Sequence, residues 1–153
     1  MTFKRIFTAA LVLILAGVFS CVYAEATSSA KIEARAMVIK AEKFVKTNGK
    51  AKALAEFNKQ DGQFVKGSFY VFVYDLKGTV IANPFHPDQL GKSMINEPDS
   101  RGKFFRKEIV RTAKAKGQGW VKYMQVNPTT KKEEIKTTYF KKVGDIIIGC
   151  GAY

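Results

Sequence analysis

The sequence predicts an α+β domain in which a long N-terminal helix packs along an antiparallel sheet of about five strands. Helical periodicity fills the segment before residue 58, and aromatic and β-branched residues alternate in the middle of the chain. Three strand-like segments then follow a further helical region. With 153 residues, of which 46% are hydrophobic, the chain suffices for one domain with a packed core.

The first residues have the layout of a secretory signal peptide. Lys4 and Arg5 precede an uncharged apolar run over residues 6–19, and the small residues that signal peptidase reads end at Ala24. We expect cleavage after Ala24, which leaves a single domain over residues 25–153 in the periplasm.

Two alternatives remain open for this leader. Cys21 could accept a lipid, although Phe19 is bulky where lipoprotein sites carry a small residue. Residues 6–24 also approach the roughly 20 residues that span a bilayer, so the leader could stay uncleaved as an anchor.

Two helices are predicted at the start of the domain. Residues 27–48 are amphipathic, with Met37, Ala41 and Phe44 recurring on one face. Asn48-Gly49 is typical of a helix end, and a shorter helix is predicted over residues 50–57.

A β-hairpin is predicted next. Residues 69–74 are aromatic and β-branched, residues 75–78 form a turn, and residues 79–82 form the return strand. Residues 83–98 contain three prolines and little periodicity, which predicts a structured loop.

A third helix is predicted over residues 99–116. Ile109 and Val110 belong to its buried face, whereas Arg106 and Arg111 are predicted to face solvent. Strands are predicted to follow at 120–126, 134–143 and 145–153. Once the leader is removed, Cys150 is the one remaining cysteine, and its apolar surroundings predict a buried small hydrophobe.

The motifs of most enzyme classes are missing. The sequence has no phosphate-binding glycine loop and no paired cysteines with metal-ligand spacing, and His86 is its one histidine. We therefore expect no catalytic residues, no metal and no cofactor. The net charge of +13 comes from lysines spread along the chain, which indicates a solvated surface, and export argues against nucleic acid as a partner.

From residue 69 onward the sequence resembles the single Cache domain, type 2. The resemblance lies in an ordered series of short motifs, each weak alone, that together with the first helix covers about residues 31–153. The series comprises the strand at 69–75, Gly78, Asn83-Pro84-Phe85, Gly91-Lys92-Ser93, Asp99, Gly102-Lys103, Gly117 to Val121, Tyr123, Asn127-Pro128, Lys136, Tyr139 and Gly149 to Tyr153.

This resemblance implies an extracytoplasmic domain with a PAS-like antiparallel sheet and a pocket over that sheet for small ligands, often short organic acids. Such domains usually sit between membrane helices in chemoreceptors and sensor kinases, and they pair through the first helix. We expect neither a second membrane helix nor an output domain in this sequence. The expected function is therefore ligand binding that acts through a membrane sensor partner, with a homodimer formed through the N-terminal helix.

The chain departs from the family at the pocket loop. The family commonly has a histidine before the first loop proline, where this chain has Asn83, and His86 stands where asparagine is usual. Asparagine can donate and accept hydrogen bonds but carries no charge. The resemblance therefore predicts a class of ligand and not its identity.

The resemblance also suggests which residues bind the ligand. Lys136 is expected to pair with a carboxylate, with Tyr70, Tyr74 and Asn83 orienting it. The alternatives are a surface lysine and ordinary sheet packing of the tyrosines.

Three further contacts are expected at the pocket margin. Trp120 is expected to form a wall, and His86 to contact the ligand from its loop. Trp120 and Tyr123 face opposite sides of a regular strand, so only one of them can easily reach the same pocket.

Two other classes of function remain as alternatives. The domain could be a periplasmic interaction protein that docks on a sensor kinase or transporter without a small ligand. An enzyme ranks last, since it would need a perturbed carboxylate beside His86.

Overall fold

The structure is a computed structural model, and it describes residues 29–153. The leader, its expected cleavage after Ala24 and the first residues of the predicted helix lie outside the described residues. Lys31–Tyr153 forms one compact unit.

Three α-helices are described. Residues 29–48 are helical (α1), α2 spans Lys50–Phe57, and α3 spans Phe105–Lys116. Gly49 separates the first two helices with φ of 80°, a left-handed conformation that costs glycine little, so the break falls where Asn48-Gly49 predicts it. A single 3₁₀ turn at Pro87–Gln89 lies in the proline-rich loop. Within residues 29–153, no helix combines the length and apolar character that a membrane crossing requires.

Six antiparallel strands form one sheet, one more than predicted. Its order is β1-β2-β6-β5-β4, with β3 pairing to β2 as the predicted hairpin. The strands are β1 Val65–Lys66, β2 Phe69–Asp75, β3 Val80–Ala82, β4 Gln118–Val126, β5 Glu133–Val143 and β6 Ile146–Ala152. The α+β class is confirmed, and the unpredicted strand is β1, which is too short to show a periodicity.

Helix α3 begins at Phe105, later than the predicted start at residue 99. The Asp99 carboxylate accepts hydrogen bonds from the backbone N–H groups of Arg101 and Lys103, at 3.0 and 2.8 Å. A further one comes from the N–H of Met124 on β4, at 2.9 Å. These bonds hold residues 99–103 in a loop pinned to the sheet, since an aspartate that binds nearby backbone competes with helix formation.

The two faces of the sheet are covered differently. We call the side under α1 and α2 the helix-pair face, where Val38, Ala41 and Phe57 pack against Val73 and Ile148. We call the other side the α3 face; it is covered by α3 and the loop before it. Its buried residues are Tyr70, Phe72, Tyr74, Val80, Phe105, Ile109, Val110, Ala113, Val121, Tyr123, Phe140 and Ile147.

Cys150 lies in the core of the helix-pair face and is completely buried. Burial raises the pKa of its thiol to about 12, which keeps the sulfur protonated and unreactive. The prediction of a buried small hydrophobe is confirmed.

Candidate functional site

Lys136 is completely buried in the middle of the protein. It lies on β5 opposite Tyr123 of β4. Its Nζ is 3.7 Å from the centroid of the Tyr70 ring and 4.9 Å from that of Tyr153. No hydrogen-bond partner for this Nζ is found among residues 29–153. The alternative of a surface lysine therefore does not apply.

Gly151 makes room for the lysine. It pairs with Thr138 of β5. Thr138 is two residues after Lys136, so the two side chains lie on the same face of the sheet. A Cβ at this glycine would lie 2.5 Å from Lys136 Cε and 2.5 Å from Thr138 Oγ1. Because such distances are not tolerated, a side chain at position 151 would displace the lysine stem from the sheet surface.

Burial sets the ionisation of the lysine. Removal from water lowers the pKa of Lys136 from its ordinary 10.5 to about 7, and the nearby Cys150 opposes this only weakly. The aromatic rings around Nζ favour the ammonium form through cation–π attraction, yet they supply no countercharge. An acid group placed beside Nζ would therefore both raise this pKa and satisfy the nitrogen.

Residues with hydroxyl groups share the α3 face with the lysine. Tyr123 Oη and Thr138 Oγ1 are hydrogen-bonded at 3.0 Å, and the Tyr123 ring stacks on Phe105 at 3.8 Å between centroids. Burial raises the pKa of Tyr70 and of Tyr123 well above the ordinary value. Both phenols therefore remain neutral and can donate a hydrogen bond to an acceptor.

Arg106 is a second buried cation, and the prediction that it faces solvent is wrong. It is 7% exposed, and its Nη1 donates to the carbonyl oxygen of Glu97 at 3.3 Å. Its Nε has no partner among the described residues. The signal was available, because residues 106, 109, 110 and 113 form one helical stripe, and the last three are apolar.

Tyr74 lies beside Arg106. Burial raises the pKa of Tyr74, and the neighbouring guanidinium opposes that shift. The tyrosines predicted on one face of β2 do share the α3 face, and Phe72 lies between them.

Asn83 and His86 lie in the loop over this face. Asn83 is 7% exposed, and its Oδ1 accepts from the N–H of Phe85 at 3.2 Å, so this oxygen shapes the loop. His86 is half-buried, with its Nε2 at 3.4 Å from Gln125 Nε2. Burial is the main cause that lowers the pKa of His86, and Lys136 and Arg106 both add to the effect.

Trp120 does not reach the site, which corrects its predicted role as a wall. It pairs with Tyr139 in the sheet, and the two ring centroids are 5.1 Å apart on the face opposite to Lys136. The indole is 41% exposed. The alternation of side chains along β4 leaves Tyr123 as the member of this pair that reaches the α3 face.

Surface depressions lie near the buried site. One, of about 570 Å³, runs along α3 and is lined by Lys107 and Arg111 among others. Another, of about 260 Å³, is lined by Tyr123 together with Asp99 and Lys103. Tyr123 therefore contacts both this second depression and the buried hydroxyl of Thr138.

The site is a set of hydrogen-bond donors and cations without an acid. The buried polar residues of the described chain are Asn83, Arg106, Asn127, Lys136 and Thr138. Nor do residues 29–153 bring together three potential metal ligands of the His, Cys, Asp or Glu type. Such a set can compensate the negative charge of an anion.

A family model described as the Cache domain matches residues 25–153. This family consists of sensory ligand-binding domains rather than enzymes.

Solved structures resemble the fold at low identity. A methyl-accepting chemotaxis protein from Vibrio parahaemolyticus RIMD 2210633 matches with a TM-score of 0.73 and 21% identity, over 84% of this chain and 91% of that one. The periplasmic sensor domain of a chemotaxis protein gives 0.67 and 23%, over 85% and 96%. A Cache chemosensory domain described for carboxylic acid recognition gives 0.63 and 22%, over 88% and 95%.

Proposed function

We propose that this chain, which belongs to the Cache-domain family, binds a short organic acid on the α3 face and acts through a membrane sensor partner. The observation that carries the proposal is the buried Lys136 ammonium, which has neither a hydrogen-bond partner nor a countercharge among the described residues. A buried charge without a partner destabilises a protein, so its retention favours a binding role over a structural one.

The ligand carboxylate would pair with Lys136 and take up the unused donors around it. Tyr70 and Tyr123 would direct their neutral hydroxyls to the acid oxygens, and Thr138 would hold the Tyr123 ring in place. Asn83 and His86 would act from the loop. Charge-assisted bonds of this kind are roughly twice as strong as neutral ones.

Access to the site requires the loop to move. The Phe85 ring packs edge-on against Tyr70 at 5.0 Å, and Lys136 Nζ lies against the same tyrosine. A ligand beside Nζ would displace Phe85, and with it the loop over residues 83–98. This displacement is the change that a partner protein would detect.

The location and assembly form part of the proposal. We place the domain, residues 25–153, in the periplasm after cleavage of the leader following Ala24. Mass spectrometry of the exported protein would test this cleavage site.

We also propose a homodimer through α1, where Ile32 and Ile39 are 67% and 48% exposed on the outer side. A monomer in sedimentation at micromolar concentration would contradict the dimer.

The ligand proposal is tested by a thermal-shift measurement on Lys136→Met. Acetate, propionate, pyruvate and lactate would be tested first on the unchanged protein. A ligand at 100 times its Kd adds about 2.7 kcal/mol, a rise in Tm of several degrees. In Lys136→Met the shift is expected to vanish, while the Tm without ligand rises because an unpaired buried charge has been removed.

Lys142→Met is the matched control, since Lys142 is an exposed lysine on the same strand. It should keep the full ligand shift and leave the Tm nearly unchanged. A ligand shift that survives in Lys136→Met would remove Lys136 from the site. The absence of any carboxylate response in the unchanged protein would overturn the proposed function.

A further inference from the structure

Arg106 gives the α3 face a second cationic group that the folded chain leaves partly unbonded. Its guanidinium lies over the Phe105 ring, with Cζ 4.2 Å from the centroid, and beside the Tyr74 side chain. One edge donates to the Glu97 carbonyl oxygen, whereas Nε has no partner among residues 29–153. The residue is 93% shielded from solvent, so water cannot readily satisfy that nitrogen.

Arg106 and Lys136 belong to one arrangement of side chains. Tyr70, Phe72 and Tyr74 form a row of rings along β2, with neighbouring centroids 6.4 and 5.1 Å apart. Lys136 Nζ lies at the Tyr70 end of this row, and Arg106 lies at the Tyr74 end. The two cations therefore face the same layer of the protein from opposite ends.

The charges in this layer do not balance. Among the buried side chains of residues 29–153, Arg106 and Lys136 are cations, and no carboxylate is buried with them. A ligand with one acid group would compensate Lys136 and leave the buried Arg106 cation uncompensated. A ligand with two acid groups would compensate both.

We propose that the ligand of this site is a short dicarboxylate, with one acid group on Lys136 and the other on Arg106. This inference rests on the proposed function and narrows its ligand class. The planar guanidinium presents Nε as a donor to a carboxylate oxygen, while the ammonium acts as a point charge at the other end. Tyr74 orients the second acid group, in place of the role beside Lys136 expected from the sequence.

The test compares acids of equal length by isothermal titration calorimetry on the unchanged protein. Succinate is paired with butanoate, and glutarate with pentanoate. Hydrogen bonds to charged groups contribute about 1.5–3 kcal/mol. The better dicarboxylate should therefore bind roughly 10- to 100-fold more tightly than the monocarboxylate of the same length. If butanoate and pentanoate bind as tightly as the diacids, the dicarboxylate inference is wrong, although the proposed function stands. If neither kind of acid binds, both fail.

The variant Arg106→Met tests whether Arg106 causes the preference for diacids over monoacids. It keeps an unbranched apolar stem over Phe105 and removes the charge, so the ratio of diacid to monoacid affinity should fall close to one while monoacid binding persists. Arg111→Met is the matched control, because Arg111 is an exposed arginine on the same helix, and it should retain the full ratio. A preference that persists in Arg106→Met would overturn the assignment. The wild-type comparison decides the ligand class even if this variant does not fold.

Discussion

Each face of the sheet is covered by a cluster of buried aromatic and aliphatic residues, but the two faces differ in the charges that they bury. Under α1 and α2 lies a cluster of buried hydrophobic residues, in which the Tyr139 hydroxyl donates to Gln118 Oε1 at 2.7 Å. Under α3, an ammonium and a guanidinium are buried among tyrosines without an acid. The helix-pair face therefore contributes hydrophobic stabilisation, whereas the α3 face also has to accommodate two buried cations.

The largest effect is expected from breaking the helix-pair face with Phe57→Ala. Phe57 is fully buried, and its ring meets that of Phe64 edge-on at 4.7 Å. Loss of a buried phenylalanine costs about 3–5 kcal/mol, which urea unfolding would measure. Val126→Ala, at a position 47% exposed on β4, is the control and should cost under about 1 kcal/mol. Equal losses in the two variants would show that this face is not the main source of stability.

The next largest effect is a pH dependence of the stability that arises from Lys136 on the α3 face. The pKa of Lys136 is about 7 in the folded protein against an ordinary 10.5, so above pH 7 the unfolded chain holds a proton that the folded protein has lost. Stability should therefore rise with pH, by about 2 kcal/mol between pH 7 and 9.

Other groups near Lys136 set the limits of this window. The lowered pKa of His86 acts below pH 7, whereas the raised pKa values of Cys150, Tyr70 and Tyr153 reduce stability above about pH 9. Urea unfolding at several pH values would detect the rise, and Lys136→Met should abolish it. The same slope in that variant would assign the effect to another group.

The smallest effect concerns the charges at the rim of the helix-pair face. Glu42 on α1 binds Lys141 of β5 at 2.7 Å and Lys46 at 2.7 Å, and the hydrogen bond from Lys141 is the main cause that lowers its pKa. Glu42→Gln should cost about 0.5–1 kcal/mol at pH 7, and less in high salt. Glu133→Gln, at an exposed position with no ion pair to any of residues 29–153, should cost nothing measurable. A loss above about 2 kcal/mol would mean that this face also depends on charge.

Much of the fold could be predicted because its local signals agree with its tertiary packing. The helix at Lys50–Phe57 matches the predicted range, since Gly49 breaks the preceding helix and an apolar stripe resumes after it. The hairpin after Phe69 follows from its turn residues. The start of α3 was not predictable in the same way, because it depends on Met124, a strand residue that hydrogen-bonds Asp99 from 25 positions away.

The candidate site was predictable to the extent that strand alternation fixes it. Lys136, Tyr70 and Tyr123 share a face, and alternation alone requires Trp120 and Tyr123 to separate. The register between β4 and β5 decides whether Trp120 or Tyr123 lies on the same side of the sheet as Lys136. A single sequence does not encode that register locally. Arg106 was misassigned because a charge on a helix usually faces solvent, and the loop at Glu97 that covers it has no periodic signature.

The position of β6 has a consequence for how the protein folds. This strand is the last of the sheet in chain order, yet it lies between β2 and β5 and pairs with both. Until it is in place, the two halves of the sheet share no hydrogen bonds. Joining the two halves therefore requires contacts between residues 71 to 79 positions apart, from Asp75 with Ile146 to Val71 with Cys150. Closing so long a loop is typical of slow-folding proteins.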